Sequence, residues 1–338
     1  MVISVHVTQS VPEAPSFVRQ AGYYGMFGVQ LFFVLSAFSL SLAYNQSIQY
    51  FSSGFLRFMI RRWFRIAPLY ILGIILYYIL RKLDGITQPE ASSIWYHASL
   101  LHGFVPSAFE QVVPGGWSIG CEWVFYLAFP VLHGFSMTRG PTVTIGLALL
   151  AAAMYPLALW IFGQSLPVKG WSFLTLNFAC QAPCFLLGHA AHASWKRGTS
   201  LTPVTLFTVL CIGLLANGIV KMSIASGSLA SPFFCGIAFA SATLLALHHR
   251  IRCFILEWIG NVSYSMYILH FLFTQYLLKS QWFATLGISW SWHLVAGFMI
   301  TVAGSAILAA GTRLLIENPA IKTGKWFSLR FDRNNTPA

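Results

Sequence analysis

One carboxylate, Glu122, lies inside the apolar run Trp117–Phe135, where no other formally charged residue occurs between Glu110 and Arg139. A carboxylate within a membrane span costs at least about 3 kcal/mol, so the default interpretation is a functional group that faces the interior of a helix bundle. Ser118 lies four residues earlier on the same helical face and could hydrogen-bond to Glu122. The alternative is a purely structural Glu122, protonated or paired with an arginine, that holds helices together.

Three histidines also fall deep in apolar segments, namely His6, His133 and His270. A hydrogen bond that bridges two helices is the simpler interpretation of His133 and His270. His6 is different, because at about 1.5 Å per helical residue it lies at the same depth below the outer membrane face as Glu122. A histidine oriented by a carboxylate is the usual general base for a hydroxyl, or a carrier of a transferred group. We therefore predict that His6 and Glu122 form a catalytic pair.

A cluster of arginines, Arg61, Arg62 and Arg65, provides a second type of chemistry. Spacings of three and four residues place two guanidinium groups on one helix face, and arginine forks suit phosphate groups. The alternative is a plain positive anchor on the cytoplasmic side. The sequence has no glycine-rich phosphate loop and no HExxH, CxxC or GxSxG motif. ATP-driven and metal-dependent chemistry are therefore disfavoured, and no metal site is predicted.

The composition defines the kind of protein that must position these groups. Of 338 residues, 57% are apolar and only 8% are charged, against about a quarter charged in soluble domains. This excludes a cytosolic enzyme, a disordered chain and a disulfide-rich secreted domain. The net charge of +12 does not indicate nucleic-acid binding, because the basic residues are dispersed between apolar runs. The six cysteines lie mostly within those runs, and we expect buried, unpaired thiols.

The apolar runs predict an all-α polytopic integral membrane protein with about ten transmembrane helices. Met1–Thr8 is similar to the last part of a first span, so we expect a truncated first helix. The other nine predicted spans are Gly25–Tyr44, Trp63–Leu80, Trp117–Phe135, Thr142–Phe162, Ser172–Trp195, Pro203–Lys221, Leu229–His248, Ile255–Leu278 and Trp290–Ile316.

The distribution of Lys and Arg predicts the orientation of these spans. When the loop that contains Arg57 is placed in the cytoplasm, the cytoplasmic segments hold fourteen Lys and Arg residues and the outer segments hold six. The segment from Arg81 to Gly116 is then the longest outer connection. We expect a single transmembrane domain over residues 1–325, followed by a polar cytoplasmic tail over residues 326–338.

Five segments of the chain resemble motifs of the acyltransferase-3 family of bacterial membrane O-acyltransferases, and they occur in the order that is usual in that family. His6 falls at the position of the histidine in that family's first helix, and Ala37 stands where glycine is usual. The family's arginine about three turns before this histidine has no counterpart. The segments are Gly28–Phe38 (GVQLFFVLSAF), Arg62–Tyr70 (RWFRIAPLY), Trp117–Pro130 (WSIGCEWVFYLAFP), Val262–His270 (VSYSMYILH) and Glu317–Pro319 (ENP).

The resemblance implies transfer of an acyl group, usually acetyl, from cytoplasmic acyl-CoA to a hydroxyl of a cell-surface or lipid-linked glycan. It implies no permanently bound cofactor, and a location in the bacterial inner membrane with a cytoplasmic C-terminus. The expected partners are acyl-CoA, the saccharide acceptor, membrane lipids and glycan-assembly proteins, but no nucleic acid. The implied catalytic residues are His6 and Glu122, and Arg62, Arg65 and Tyr70 would bind the donor. Further motif positions with a substrate or structural role are Ser36, Trp117, Ser118, Tyr126, Ser263, Tyr264 and His270.

Two other classes of protein remain open on the sequence. A proton-coupled transporter or flippase-like carrier of a glycan precursor would use Glu122 and the histidines as a proton or substrate path. A catalytically inactive scaffold of a glycan-assembly complex would keep the motifs without turnover. Consumption of acyl-CoA by the purified protein separates the enzyme from both alternatives.

Overall fold

The computed structural model describes residues 1–44, 53–162, 171–198, 201–223, 229–279, 287 and 289–333. This part of the chain is helical and contains no strand, which confirms the predicted all-α class. Two π-helical turns, Leu272–Leu277 and Arg313–Glu317, extend the helices before them. The helices are α1 (Val2–Gln9), α2 (Ser16–Tyr23), α3 (Gly28–Ala43), α4 (Ser53–Leu83), α5 (Ala91–Ala98), α6 (Trp117–Arg139), α7 (Pro141–Phe162), α8 (Trp171–Leu176), α9 (Phe178–Lys196), α10 (Pro203–Ser223), α11 (Ser231–His248), α12 (Phe254–Phe271), α13 (Trp290–Thr312) and α14 (Asn318–Arg333).

Six helical stretches among the described residues are long and apolar enough to cross a membrane. All nine predicted spans fall on helices, so the polytopic membrane class is confirmed, whereas the count of ten is not. Helices α6 and α9 are absent from the six because buried polar residues, such as Glu122 in α6 and His189 in α9, lower their hydropathy. In α12 the exposed Glu257 and Asn261 lower it. The six stretches are Ser16–Ala43, Ser53–Leu83, Pro141–Ile161, Pro203–Val220, Ser231–His248 and Trp290–Arg330.

The predicted span Ser172–Trp195 is divided into two helices. Asn177 caps the N-terminus of α9, because its side-chain oxygen accepts a hydrogen bond from the backbone N–H of Cys180 at 3.1 Å. An N-cap residue has non-helical backbone angles, so α8 ends before it and α9 begins after it.

An aromatic core shared by α3, α6 and α9 lies at the centre of the bundle. The fully buried Phe185 ring lies 4.6 Å from the ring of Phe33 and 4.1 Å from that of Phe125, between centroids. Next to this core, a Cβ atom added to Gly188 of α9 would lie 2.8 Å from the Cβ of Ala37 in α3. Small residues allow two helix backbones to approach closely. The close contact of α3 with α9 fixes the rotation of α3, which carries Ser36.

The last helix, α14, packs along the first half of α4. The rings of Phe64 and Phe327 are stacked with their centroids 5.7 Å apart, and Nε of Arg61 donates a hydrogen bond to Oγ of Ser328 at 2.9 Å. Helix α14 continues through residue 325 without a break, so residues 326–333 of the predicted tail extend this helix. All six cysteines are free thiols; four are buried, as expected, whereas Cys211 and Cys253 are partly exposed.

The charge bias makes a testable prediction about orientation. In a cysteine-free variant, single cysteines introduced at Ser53, where α4 begins, and at Lys325 in α14 should react only with reagent added from the cytoplasmic side. A cysteine at Lys169, which lies outside the described residues, should react from the opposite side. Reaction of position 169 only from the cytoplasmic side would contradict the predicted orientation.

Candidate active site

His6 lies half-buried near the end of α1. Its Nδ1 is 3.0 Å from Oε1 of Gln9, and because an amide oxygen only accepts, Nδ1 carries the proton and donates it. This tautomer leaves Nε2 as an unprotonated base. The imidazole ring lies against Phe271 and His270, with centroid distances of 4.5 and 5.3 Å.

His270 lies on α12 and is fully buried. Its Nδ1 donates a hydrogen bond to the backbone carbonyl of Tyr267 at 2.7 Å, while its Nε2 has no hydrogen-bond partner among the described residues. The prediction that His270 bridges two helices by a hydrogen bond is wrong, because both of its acceptors, Met266 and Tyr267, belong to its own helix. As in His6, the tautomer leaves Nε2 as a base.

A cavity of about 480 Å³ lies between α1, α3, α6 and α12 and is bordered by His270. Most of its lining is apolar. Its polar lining residues are Ser118, Ser263, Tyr264, Tyr267 and His270. The hydroxyl of Ser118 donates to the hydroxyl of Tyr267 at 2.9 Å, so α6 and α12 are joined at the wall of the cavity. A mostly apolar cavity with a few convergent polar groups is the usual form of a small-molecule site.

Glu122 forms a second polar centre, buried between α3, α4 and α6. Its side chain is 3% exposed, and its Oε1 accepts hydrogen bonds from Tyr126 and from Ser36, the latter at 2.7 Å. The guanidinium groups of Arg62 and Arg65 lie within electrostatic reach of this carboxylate. The motif residues Ser36, Glu122 and Tyr126, taken from two separate segments, thus meet at one point.

The structure does not bring His6 and Glu122 into contact. In the described part of the chain, the hydrogen-bond partner of His6 is Gln9, and those of Glu122 are Ser36 and Tyr126. Matched depth does not fix the direction in which a helical side chain points, and the two residues face different sides of the bundle interior. The sequence assigned to Glu122 the hydrogen bond that orients the imidazole of His6. In the structure, Gln9 forms this bond.

The arginine cluster is divided between two roles. Arg61 is held by Ser328, as described above. The guanidinium carbon of Arg62 lies 5.7 Å from the ring centre of Phe58 and 5.8 Å from that of Tyr126, and its buried Nε has no hydrogen-bond partner in the described residues. Arg65 is exposed. Neither Arg62 nor Arg65 forms an ion pair within the described structure, so both retain donors for an anionic ligand.

Tyr70 is fully buried, and its hydroxyl belongs to a cluster with two histidines of the outer segment. The hydroxyl is 2.7 Å from Nδ1 of His97 and 3.4 Å from Nε2 of His102. The two imidazole rings are stacked 4.0 Å apart and donate to the carbonyls of Ala108 and Gly116 at 2.7 and 2.9 Å. The cluster attaches the outer segment to α4 and to the start of α6, and donor binding by Tyr70 stays a prediction.

This cluster makes the protein sensitive to acid. Burial, and then the neighbouring His102, lower the pKa of His97 to about 3, and burial lowers the pKa of His102 to about 4. Because an unfolded histidine has a pKa of about 6.5, the unfolded chain binds more protons between roughly pH 4 and 6.5. The stabilisation is therefore complete above pH 6.5 and decreases as the pH falls toward 4.

We expect the melting temperature of the detergent-solubilised protein to decrease between pH 7 and 4.5, and to decrease less steeply in His97→Gln. The matched control is His249→Gln, which replaces an exposed histidine and should keep the pH dependence of the unsubstituted protein. An unchanged slope in His97→Gln would show that the cluster does not control stability in acid.

The remaining motif positions have local or structural contacts. Ser118 donates to Gly115 and Tyr267, so the predicted hydrogen bond to Glu122 is not formed. Trp117 lies edge-on to Phe33 at 6.2 Å.

On α12, the exposed Ser263 donates to the carbonyl of Gly260 at 2.8 Å, and the hydroxyl of Tyr264 donates to the carbonyl of Ile66 in α4 at 2.9 Å. Tyr264 thereby joins α12 to the helix of the arginine cluster.

Sequence reasoning missed a contact between two of the motifs. The buried Ser265 of VSYSMYILH donates a hydrogen bond to the carboxylate of Glu317 in ENP, 52 residues later. Glu317 also lies within electrostatic reach of Arg65. Motif order could not reveal this contact, whereas the three-residue spacing of His6 and Gln9 was visible in the sequence. Among the described residues, no group of three or more His, Cys, Asp or Glu is arranged to hold a metal ion.

Comparison with known proteins identifies the family of this chain. A family model described as an acyltransferase domain matches residues 1–310. Acyltransferase MdmB of Streptomyces mycarofaciens is 25% identical over 332 residues, which cover 88% of this chain and 81% of that protein. No solved structure matches the chain. Because this family model covers residues 1–310, the chain belongs to the acyltransferase-3 family of membrane enzymes.

Proposed function

We propose that this acyltransferase moves an acetyl group from cytoplasmic acyl-CoA to a hydroxyl of a cell-surface or lipid-linked glycan. The observation that carries the proposal is the imidazole of His6, whose Nδ1 is bound by Gln9, whose Nε2 has no hydrogen-bond partner among the described residues, and whose ring lies 5.3 Å from that of the cavity-lining His270. A neutral imidazole of this kind accepts the proton of an attacking hydroxyl. The choice of donor and of acceptor class rests on the resemblance of the five motifs.

The proposed reaction places the donor at the arginine cluster and the acceptor near the outer end of α1. Arg62, whose buried Nε has no hydrogen-bond partner among the described residues, and the exposed Arg65 would bind the phosphates of CoA through their guanidinium groups. His6 either takes the hydroxyl proton or carries the acyl group transiently. The chain would act in the bacterial inner membrane with its C-terminus in the cytoplasm, as the charge bias predicts. The family match favours this enzyme over the carrier and the scaffold.

The test is transfer of label by the full-length protein in proteoliposomes. With acetyl-labelled acetyl-CoA and a lipid-linked oligosaccharide, we expect an alkali-labile ester on the saccharide and one free CoA thiol for each acetyl group transferred. His6→Ala serves as the inactive control. Absence of CoA release in the presence of a range of glycan acceptors would contradict the proposal.

The donor site makes a separate prediction. Replacing Arg62 or Arg65 with lysine keeps the charge but removes the fork that binds an oxyanion through two parallel hydrogen bonds. A hydrogen bond to a charged group contributes about 1.5–3 kcal/mol, so we expect the dissociation constant of acyl-CoA to rise about tenfold or more. Isothermal titration of the purified variants measures this change.

The matched control for this prediction is Arg61→Lys. Arg61 lies on the same helix, but Ser328 already occupies its Nε, so its substitution should leave donor affinity near the original value. If Arg62→Lys and Arg65→Lys both bind acyl-CoA as tightly as the unsubstituted protein, the cluster is only a topology signal.

A further inference from the structure

We propose that His270 is a second catalytic base, which receives the acceptor proton from His6 and delivers it to the thiolate of CoA. This inference rests on the proposed function and extends it, because it assigns the path of the proton rather than of the acyl group. The reaction removes a proton from a hydroxyl on the outer side and must place one on sulfur on the donor side. One imidazole can do both where both groups reach it; where the hydroxyl and the sulfur lie on opposite sides, a second base next to the first carries the proton across.

The geometry of the two histidines meets this requirement. Their ring centroids are 5.3 Å apart, and both rings pack on Phe271, at 4.5 Å for His6 and 4.1 Å for His270. Each ring donates through Nδ1, to Gln9 in one case and to the Tyr267 carbonyl in the other. Each therefore presents an unprotonated Nε2. The structure thus places two basic nitrogens on neighbouring rings, and the relay passes the proton from one of these nitrogens to the other.

The position of His270 distinguishes it from the other buried histidines of the chain. His97 and His102 hold the outer segment by hydrogen bonds, and Nδ1 of His189 lies 2.7 Å from the hydroxyl of Ser41. His133, His189 and His192 also have ring nitrogens without partners in the described residues. His270 differs from these three because it adjoins both the imidazole of His6 and the cavity.

The cavity gives the donor a route to His270 along one face of α12. Its lining residues on this helix include Leu256, Ile259, Ser263, Met266 and His270, spaced by three or four residues. This spacing follows a single helical face over about 21 Å, at about 1.5 Å per residue. The route starts near the end of α12 that the charge bias places in the cytoplasm and ends at His270. A thioester carried along it would bring its sulfur to the inner side of the histidine pair.

The chemical balance of the relay is complete. The acceptor oxygen attacks the thioester carbonyl as Nε2 of His6 takes the hydroxyl proton. The C–O bond forms, the C–S bond breaks, and the electron pair of C–S remains on sulfur as CoA thiolate. The imidazolium of His6 passes its proton to Nε2 of His270, which gives it to the thiolate. With reference pKa values of about 6.5 for imidazolium and about 8.5 for a thiol, the last transfer is favourable.

The decisive experiment compares two acyl donors that differ only in the leaving atom, acetyl-CoA and its selenoester analogue. A selenol is a stronger acid than a thiol, so its anion leaves without needing a proton. We expect His270→Gln to lower the transfer rate about 10²-fold with the thioester and less than tenfold with the selenoester. His133→Gln is the matched control, because His133 is equally buried, and it should show the same ratio of the two rates as the unsubstituted protein.

Each result has one interpretation. If His270→Gln loses more of its transfer rate with the thioester than with the selenoester, the relay is supported. Unchanged transfer in His270→Gln, or the same loss with both donors in protein that binds acetyl-CoA normally, overturns it. His270→Asn replaces the glutamine variant if the latter does not purify as folded protein. Failure of the proposed function is distinguishable, because the unsubstituted protein would then transfer from neither donor.

Discussion

Replacing His6 with alanine should lower the rate of acyl transfer by about 10²–10⁴-fold, the range over which a positioned general base contributes. The expected loss is this large because Nε2 of His6 is the base nearest the outer end of the site, and an alanine offers no proton acceptor. His6 is half-buried, so its replacement should leave the yield and the melting temperature close to those of the unsubstituted protein. Initial rates with labelled acetyl-CoA in proteoliposomes measure the effect.

Gln9 supplies the companion variant. Gln9→Ala removes the acceptor that fixes the His6 tautomer, so part of the imidazole population would present a protonated Nε2. We expect a smaller decrease than for His6→Ala, in the rate rather than in donor affinity, because Gln9 acts through His6. Full activity of His6→Ala would exclude His6 from the chemistry and would also remove the basis of the relay with His270.

Replacing Glu122 with glutamine should lower the rate by about 10- to 100-fold. The side chain keeps its shape, but the carboxylate oxygen that accepts from both Ser36 and Tyr126 is replaced by an amide. Hydrogen bonds to a charged group contribute about 1.5–3 kcal/mol, and about 1.4 kcal/mol corresponds to a factor of ten in rate. The substitution also removes a negative charge that lies within electrostatic reach of Arg62 and Arg65.

The coupling between the two substitutions tests the arrangement of the site. Residues that act as one unit give a double variant little worse than the worse single variant, whereas separate sites give losses that multiply. Because Glu122 and His6 have different hydrogen-bond partners, we expect the losses to multiply. The matched control is Ser118→Ala, which changes a cavity hydroxyl on α6 that does not bond to Glu122. A double variant no slower than His6→Ala would show that Glu122 works through His6.

The sequence alone determined where the nine apolar spans lie and that they are helices of a membrane protein. Hydropathy is a local property, so runs such as Pro203–Lys221 are recognisable without any tertiary information. A charge inside an apolar run, as at Glu122, is also a local signal, because the cost of burying it is independent of which helix lies alongside. The motifs that identify the family are likewise contiguous, and their order along the chain was sufficient to predict an acyltransferase.

Only the tertiary structure decided which of these residues meet. Equal depth predicted a pair between His6 and Glu122, but the contact of His6 is with His270, 264 residues away along the chain. Depth follows from the rise per residue, whereas contact also depends on the rotation of each helix about its axis. That rotation is set by packing between helices distant in sequence, such as the close approach of Gly188 to Ala37, and no periodicity within one segment encodes it.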